Sequence, residues 1–219
     1  MREYAIALDV SDRGAAISLA SKYQGKFAFA KIGLELFTAI GPSIISEIKD
    51  LGYRIFLDLK LHDIPNTVRG ATVSCARYGV DLLTVHCAGG VEMIRAAVEA
   101  SSSVEGGPAI VGVTQLTSLS PISTSELTER MSLIADGGAH GFVSSGLEVA
   151  AIKARLPDLV AVVPGVRYDM DNLGDQVRVV TPSEAFNAGA NVVVLGRILH
   201  DVVDTERIIN FLERDRSDF

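Results

Sequence analysis

Eight short β-rich runs alternating with longer helical stretches predict an α/β protein built as a single (β/α)8 (TIM) barrel. Two further observations support that class. The runs are apolar nearly throughout rather than at every second residue, as expected for strands of a parallel sheet covered on both faces. No linker or low-complexity tract divides the 219 residues, so the chain reads as one domain over 1–219. An open doubly wound sheet is the alternative, and the count of eight βα units favours the barrel.

The elements follow in order. "YAIALDV" (4–10) enters a strand at once and leads to a helix over 12–23. "FAFAKIG" (27–33) is the second strand, with a helix over 42–51 behind it. "RIFLDLK" (54–60) is the third, and Pro65 opens the helix over 65–78. "DLLTVH" (81–86) precedes a helix over 91–100, and "AIVGVTQL" (109–116) precedes one over 125–136. "HGFVS" (140–144) pairs with a helix over 147–156, and "LVAVVPG" (159–165) with one over 182–187. "NVVVLGR" (191–197) is the eighth strand, and a helix over 205–214 closes the chain. Helices end before "YGVD", "GGAH" and "AGAN", where a glycine can cap a helix and turn the chain into the next strand.

Composition narrows the function classes. Hydrophobic residues make up 48% of the chain, enough for one large core or two small ones. Lys and Arg number 20 against 27 Asp and Glu, a formal charge of −7. With no basic excess to neutralise phosphates, nucleic acid is not expected as the main partner. A small anionic substrate held by a few local cations remains compatible. No apolar run approaches the ~20 residues that span a bilayer, and "MREYAIALDV" lacks signal-peptide architecture, so no membrane partner and a cytoplasmic location are expected. Cys75 and Cys87 sit in apolar segments without metal-ligand spacing and read as two reduced core thiols.

In a (β/α)8 barrel the chemistry sits at the C-terminal ends of the strands. Those ends carry Asp9, Lys31, Asp58 with Lys60, His86, Gln115 with Thr117, Ser144, Pro164-Gly165 and Gly196-Arg197. So many polar ends on apolar strands is not a core-packing pattern; it points to one assembled site. The third end, "DLKLHDIPNTV" (58–68), is the densest. Side chains at i and i+2 of a strand share a face, so Asp58 and Lys60 point into the mouth while Leu57, Leu59 and Leu61 face the helices. Lys31 reaches the same space from the neighbouring strand. With Asp63 nearby, these charges form an alternating network whose members satisfy one another. Spacing alone leaves two readings open: a reactive centre, or a salt-bridge cluster closing the barrel top.

The same stretch resembles the Asp-x-Lys-x-x-Asp-Ile-Pro-Asn-Thr signature of the orotidine 5′-phosphate decarboxylase family. Further landmarks in the family's order are "ALD" (7–9), "AKIG" (30–33), "VTQLTS" (113–118), "PGVR" (164–167), "GDQ" (174–176) and "LGR" (195–197). Together they span nearly the whole chain. The resemblance implies conversion of orotidine 5′-phosphate to UMP and CO2 without metal or organic cofactor, in the last step of de novo pyrimidine nucleotide synthesis. It implies that Lys60 donates the proton that replaces the departing carboxylate and that Asp58 lies against that carboxylate. Lys31 would orient Asp58 and touch the ribose, while Asp9 would hold a ribose hydroxyl. Asp63, Ile64 and Thr67 would be supplied across a homodimer interface to the neighbouring site. Thr117 would bond the pyrimidine edge, Pro164 and Val166 would contribute to substrate binding, and Gln176, Gly196 and Arg197 would hold the phosphate. The loop over 165–176 could close as a lid.

Other readings make distinct demands on the same residues. His62 and His86 at strand ends could suggest a metal, but Lys31 and Lys60 place two cations where a divalent ion would sit. His62 is expected in an exposed loop and His86 as a hydrogen-bonded residue beneath the site. Mg2+-dependent sugar-phosphate barrels of the 3-keto-gulonate 6-phosphate decarboxylase and hexulose-phosphate synthase type share Asp-x-Lys-x-x-Asp. They carry an acidic residue where Lys31 stands and lack Ile-Pro-Asn-Thr. A non-catalytic nucleotide-binding barrel would be expected to lose Asp58 or Lys60, and both are present.

Overall fold

Alternation along the strands sorts apolar residues into two layers, one inside a closed sheet and one beneath the helices. The computed structural model describes residues 2–119, 121–166, 180–196, 199, 206 and 208–212. Its strands are β1 (Glu3–Ala7), β2 (Phe29–Gly33), β3 (Arg54–Leu61), β4 (Leu82–His86), β5 (Ala109–Val113), β6 (Gly141–Val143), β7 (Val160–Val163) and β8 (Val192–Leu195). They pair in sequence order, all parallel, and β8 closes on β1 through the register Glu3↔Val192 to Ile6↔Leu195. The helices are α1 (Arg13–Lys22), α2 (Leu34–Ile40), α3 (Ser43–Asp50), α4 (Pro65–Arg77), α5 (Val91–Ser102), α6 (Thr124–Asp136), α7 (Val149–Lys153) and α8 (Pro182–Asn187). The predicted (β/α)8 barrel is the observed fold.

Ala5, Phe29, Phe56, Val111, Val162 and Val194 fill the barrel interior, while their strand neighbours Tyr4, Ile6, Ile55, Leu83 and Val193 pack outward into the larger core. Both faces are buried, which is why the strands read as continuous apolar runs. Cys75 and Cys87 are buried in the outer layer as free thiols, and desolvation pushes them up to about 11 and about 12.

The N-terminal rim is tied by a repeated device. Asp81, His140 and Asn191 each precede an even-numbered strand. Each gives its backbone N–H to the preceding strand, to the carbonyls of Ile55, Ile110 and Ala161. In return each side chain accepts the N–H of that same residue, at 2.7, 3.0 and 2.9 Å. Donor and acceptor are both satisfied where the ladder begins. The turns that deliver two of them use Gly79 (φ 69°) and Gly138 (φ 71°), a left-handed conformation that glycine adopts without a Cβ penalty.

Most strands are shorter than the sequence predicts, because polar residues past the last ladder bond belong to the loops. The helix α2 was not predicted. Its seven residues bury only Leu36, too short a window for a 3.6-residue period to show. Of the predicted closing helix over 205–214, residues 208–212 are helical, with Ile208 and Leu212 buried; the other positions except Glu206, itself helical, lie outside the described residues.

One irregularity positions the site. Leu57 of β3 stands opposite Leu83, and Leu61 opposite Val85, so Asp58, Leu59 and Lys60 face the single residue Thr84. This bulge ends with Lys60 at φ 49°, the one non-glycine residue of positive φ among the described residues.

Candidate active site

A pocket opens at the C-terminal ends of the strands. Its wall is apolar, from Phe56, Val113, Val143, Val162 and Val194, with Pro164 beside them. Lys31, Asp58 and Lys60 stand on one side, and Gln115, Leu116, Thr117 and Ser118 reach in from the loop after β5. The arrangement suits a flat ring that is apolar on its faces and polar at its edge.

The charged side is a chain of alternating sign. Lys60 Nζ donates to Asp58 Oδ2 at 2.8 Å, and Lys31 Nζ lies 4.0 Å from the same oxygen. Lys31 Nζ donates to Asp9 Oδ1 at 2.8 Å. The Lys31 and Asp58 side chains are only 10% and 13% exposed, against 45% for Asp9 and 31% for Lys60. Two carboxylates and two ammonium groups balance, which allows the inner pair to be buried. Gly33, opposite Asp58 in the β2–β3 register, leaves room for this packing: a Cβ there would stand 3.2 Å from Lys31 Nζ.

Sequence reasoning places Asp58 and Lys60 on one face, and the structure brings both to the pocket while Leu59 and Leu61 pack outward. The alternation survives the bulge. The fourth member of the network within the chain is Asp9 rather than the expected Asp63. Asp63 is exposed, its Oδ1 accepts the Ile64 N–H at 2.7 Å, and it forms no ion pair among the described residues. The reason is local: Ile64 is extended before Pro65, which starts α4 and turns the chain out of the mouth. Ile64 is 66% exposed, and Thr67 is exposed one turn along α4.

Among the other expected residues, Gln115, Thr117 and Pro164 line the pocket. Gly196 follows β8 beside Asp9, whose Oδ2 would be 3.7 Å from a Cβ placed there. The Val166 side chain is buried in the outer layer, in a bridge with Val180, rather than at the pocket wall. Gln176 and Arg197 lie outside the described residues, as does most of the loop over 165–176.

His86 and Ser144 stand at strand ends without lining the pocket. His86 is half-buried, its Nδ1 accepts the Ala88 N–H at 3.2 Å, and its ring stacks on exposed His62 at 5.4 Å between centroids. Desolvation, and then the charges of His62, Arg130 and Lys60, lower its pKa. Ser144 is fully buried and donates to the Ser145 carbonyl at 3.2 Å. Among the described residues, no group of three or more His, Cys, Asp and Glu side chains is gathered to hold a metal.

Sequence reasoning missed Thr84. Its hydroxyl, wholly buried, accepts the Lys60 backbone N–H at 2.8 Å and donates to Asp58 Oδ1 at 3.0 Å. The available signal was its place two residues before His86, on the inward face of a strand beside Asp58.

The "Orotidine 5′-phosphate decarboxylase / HUMPS" family model matches residues 3–205. A protein of Nitratidesulfovibrio vulgaris named orotidine 5′-phosphate decarboxylase is 42% identical, covering 93% of this chain and 93% of the relative. One of the same name from Cutibacterium acnes is 40% identical over 88% of this chain and 86% of its own. The crystal structure of orotidine 5′-phosphate decarboxylase from Lactobacillus acidophilus superposes with a TM-score of 0.81 at 30% identity, covering 98% of each chain.

Proposed function

We infer that this chain, which belongs to the orotidine 5′-phosphate decarboxylase / HUMPS family, converts orotidine 5′-phosphate to UMP and CO2 as a carboxy-lyase of pyrimidine biosynthesis. The observation that carries the reading is a buried carboxylate, Asp58, held between Lys60 and Lys31 at the wall of a ring-sized pocket.

The chemistry follows from that charge order. Breaking the bond between C6 of the pyrimidine and the carboxylate leaves an electron pair on C6. The substrate carboxylate set against Asp58 meets a like charge that disappears as CO2 leaves, so the repulsion is relieved in the transition state. Lys60, already hydrogen-bonded to Asp58, stands to give an Nζ proton to C6, completing UMP. Lys31 steadies Asp58 and Asp9 and offers its remaining donor capacity to the ribose, with Asp9 accepting from a ribose hydroxyl. Thr117 bonds the pyrimidine edge, Pro164 supports the base, and Gln176, Arg197 and Gly196 hold the phosphate. After strands seven and eight a barrel commonly binds phosphate, and a guanidinium fork matches phosphate oxygens. No metal or organic cofactor takes part.

The enzyme acts as a cytoplasmic homodimer of single-domain barrels. Each subunit presents Asp63, Ile64 and Thr67 to the neighbouring pocket, which agrees with their exposure and with the turn that leads them away from their own. No described helix is long and apolar enough to cross a membrane.

Loss of orotidine 5′-phosphate ultraviolet absorbance tests the reading. Activity should survive exhaustive EDTA treatment and should not rise with added Mg2+. A Mg2+ requirement, or inertness toward this nucleotide with turnover of a sugar phosphate, would move the chain to the sugar-phosphate branch of the superfamily.

A further inference from the structure

We propose that Thr84 is a positioning residue for the decarboxylation, holding the Asp58–Lys60 pair through one hydroxyl. The proposal rests on the decarboxylation reading for its kinetic test and on the bulge geometry for its structural one. In a regular parallel ladder the Lys60 amide would donate to a backbone carbonyl. Here three residues of β3 stand opposite one of β4, and the Lys60 N–H is taken at 2.8 Å by the Thr84 hydroxyl instead. That hydroxyl has a single proton, directed to Asp58 Oδ1 at 3.0 Å. Asp58 Oδ2 is thereby left to the two ammonium groups, at 2.8 Å from Lys60 and 4.0 Å from Lys31. One fully buried oxygen therefore fixes two things. It satisfies the amide of a lysine held in a left-handed conformation that its side chain disfavours, and it sets the rotation of the carboxylate between the lysines.

Thr84→Val keeps the branched shape and removes the hydroxyl. The Lys60 amide then loses its partner, and the left-handed backbone can relax. The ammonium group shifts from the carbon it must protonate, while pocket walls and phosphate contacts stay in place. The expected result is a fall in kcat of about 10–100-fold, the scale of a misplacement near 1 Å, with the dissociation constant for UMP changed less than about threefold. Thr84→Ser restores the hydroxyl and should return kcat to within about threefold of wild type. A residue that merely packs would move thermal stability in both variants and leave this split absent.

If Thr84→Val does not fold, Thr84→Ala against Thr84→Ser makes the same comparison, since the pair differs only in the hydroxyl. A kcat for the valine variant within about threefold of wild type, or a serine variant as slow as the valine or alanine one, would overturn the proposal. A crystal structure of the variant lacking the hydroxyl separates this outcome from failure of the decarboxylation reading. Lys60 should leave positive φ or the Asp58 carboxylate should rotate. Both unmoved would overturn the proposal even if the wild type proved inactive on this nucleotide.

Discussion

Replacing Lys31 by methionine removes one charge from the network while keeping an unbranched side chain of similar length in the same slot. Lys31 Nζ lies 2.8 Å from Asp9 and 4.0 Å from Asp58. The Asp9 contact is nearly half exposed, so screening limits it to roughly 1 kcal/mol or less. The Asp58 contact is buried at both ends, and unit charges at that separation interact by about 4 kcal/mol at an effective dielectric near 20. Not all of this appears in stability, because deleting the ammonium also removes its desolvation cost and Asp58 keeps Lys60 and Thr84. Unfolding free energy should fall by roughly 1–2 kcal/mol, at about 2–4 °C of Tm per kcal/mol. Activity should suffer more. The site passes from balanced to net negative while its substrate carries a carboxylate and a phosphate. A loss of 3–4 kcal/mol corresponds to about 10²–10³-fold in kcat/KM. Steady-state decarboxylation at constant ionic strength reads this directly, with Tm measured alongside. A variant that is stable and keeps kcat/KM within about threefold of wild type would refute the idea that Lys31 sustains the charge order of the site.

Two further perturbations probe other parts of the structure. Partial desolvation lowers the pKa of His140 although the residue stays exposed overall, and its Nδ1 accepts a strand amide. The unfolded chain therefore takes up the proton first. The contribution is present above the unfolded value near 6.5 and is lost as pH falls toward the folded pKa. His140→Asn supplies the acceptor that Asn191 supplies elsewhere on the rim and does not titrate, so urea unfolding should lose less stability between about pH 7.5 and about pH 5.5 than in wild type; equal losses would contradict the assignment. For the shared site, mixing Lys60→Ala with Asp63→Ala dimers under conditions of subunit exchange should restore activity to about a quarter of all sites. With exchange confirmed by mass spectrometry, no recovery would mean that Asp63 does not serve the neighbouring pocket.

Much of the barrel was legible because burial on both faces turns strands into apolar runs, and because glycines such as Gly79 and Gly138 mark where helices hand over to strands. The charged face of β3 was legible for the same reason, since Asp58 and Lys60 keep the parity of their strand. What stayed hidden does not follow a period. The bulge opposite Thr84 and the left-handed Lys60 are departures from strand geometry, and a threonine on an apolar strand reads as a β-branched filler until its hydroxyl partners are seen. Asp63 was expected inside the network because it is only three residues from Lys60. A proline-led helix start outweighs that proximity, and Asp9, distant in sequence, takes the place across the β1–β2 pairing. Gln176 and Arg197 rest on sequence alone.

The most direct test of the central claim compares wild type with Lys60→Ala in two measurements: ultraviolet decay of orotidine 5′-phosphate and calorimetric binding of UMP. Lys60 stands 2.8 Å from Asp58 at the pocket wall, and the proposed phosphate contacts, Gln176, Gly196 and Arg197, lie elsewhere in the chain. Wild type should decarboxylate the nucleotide, and the variant should show no detectable turnover while binding UMP within about tenfold of wild type. Near-normal turnover by Lys60→Ala would contradict the assignment of the proton donor and the mechanism built on it.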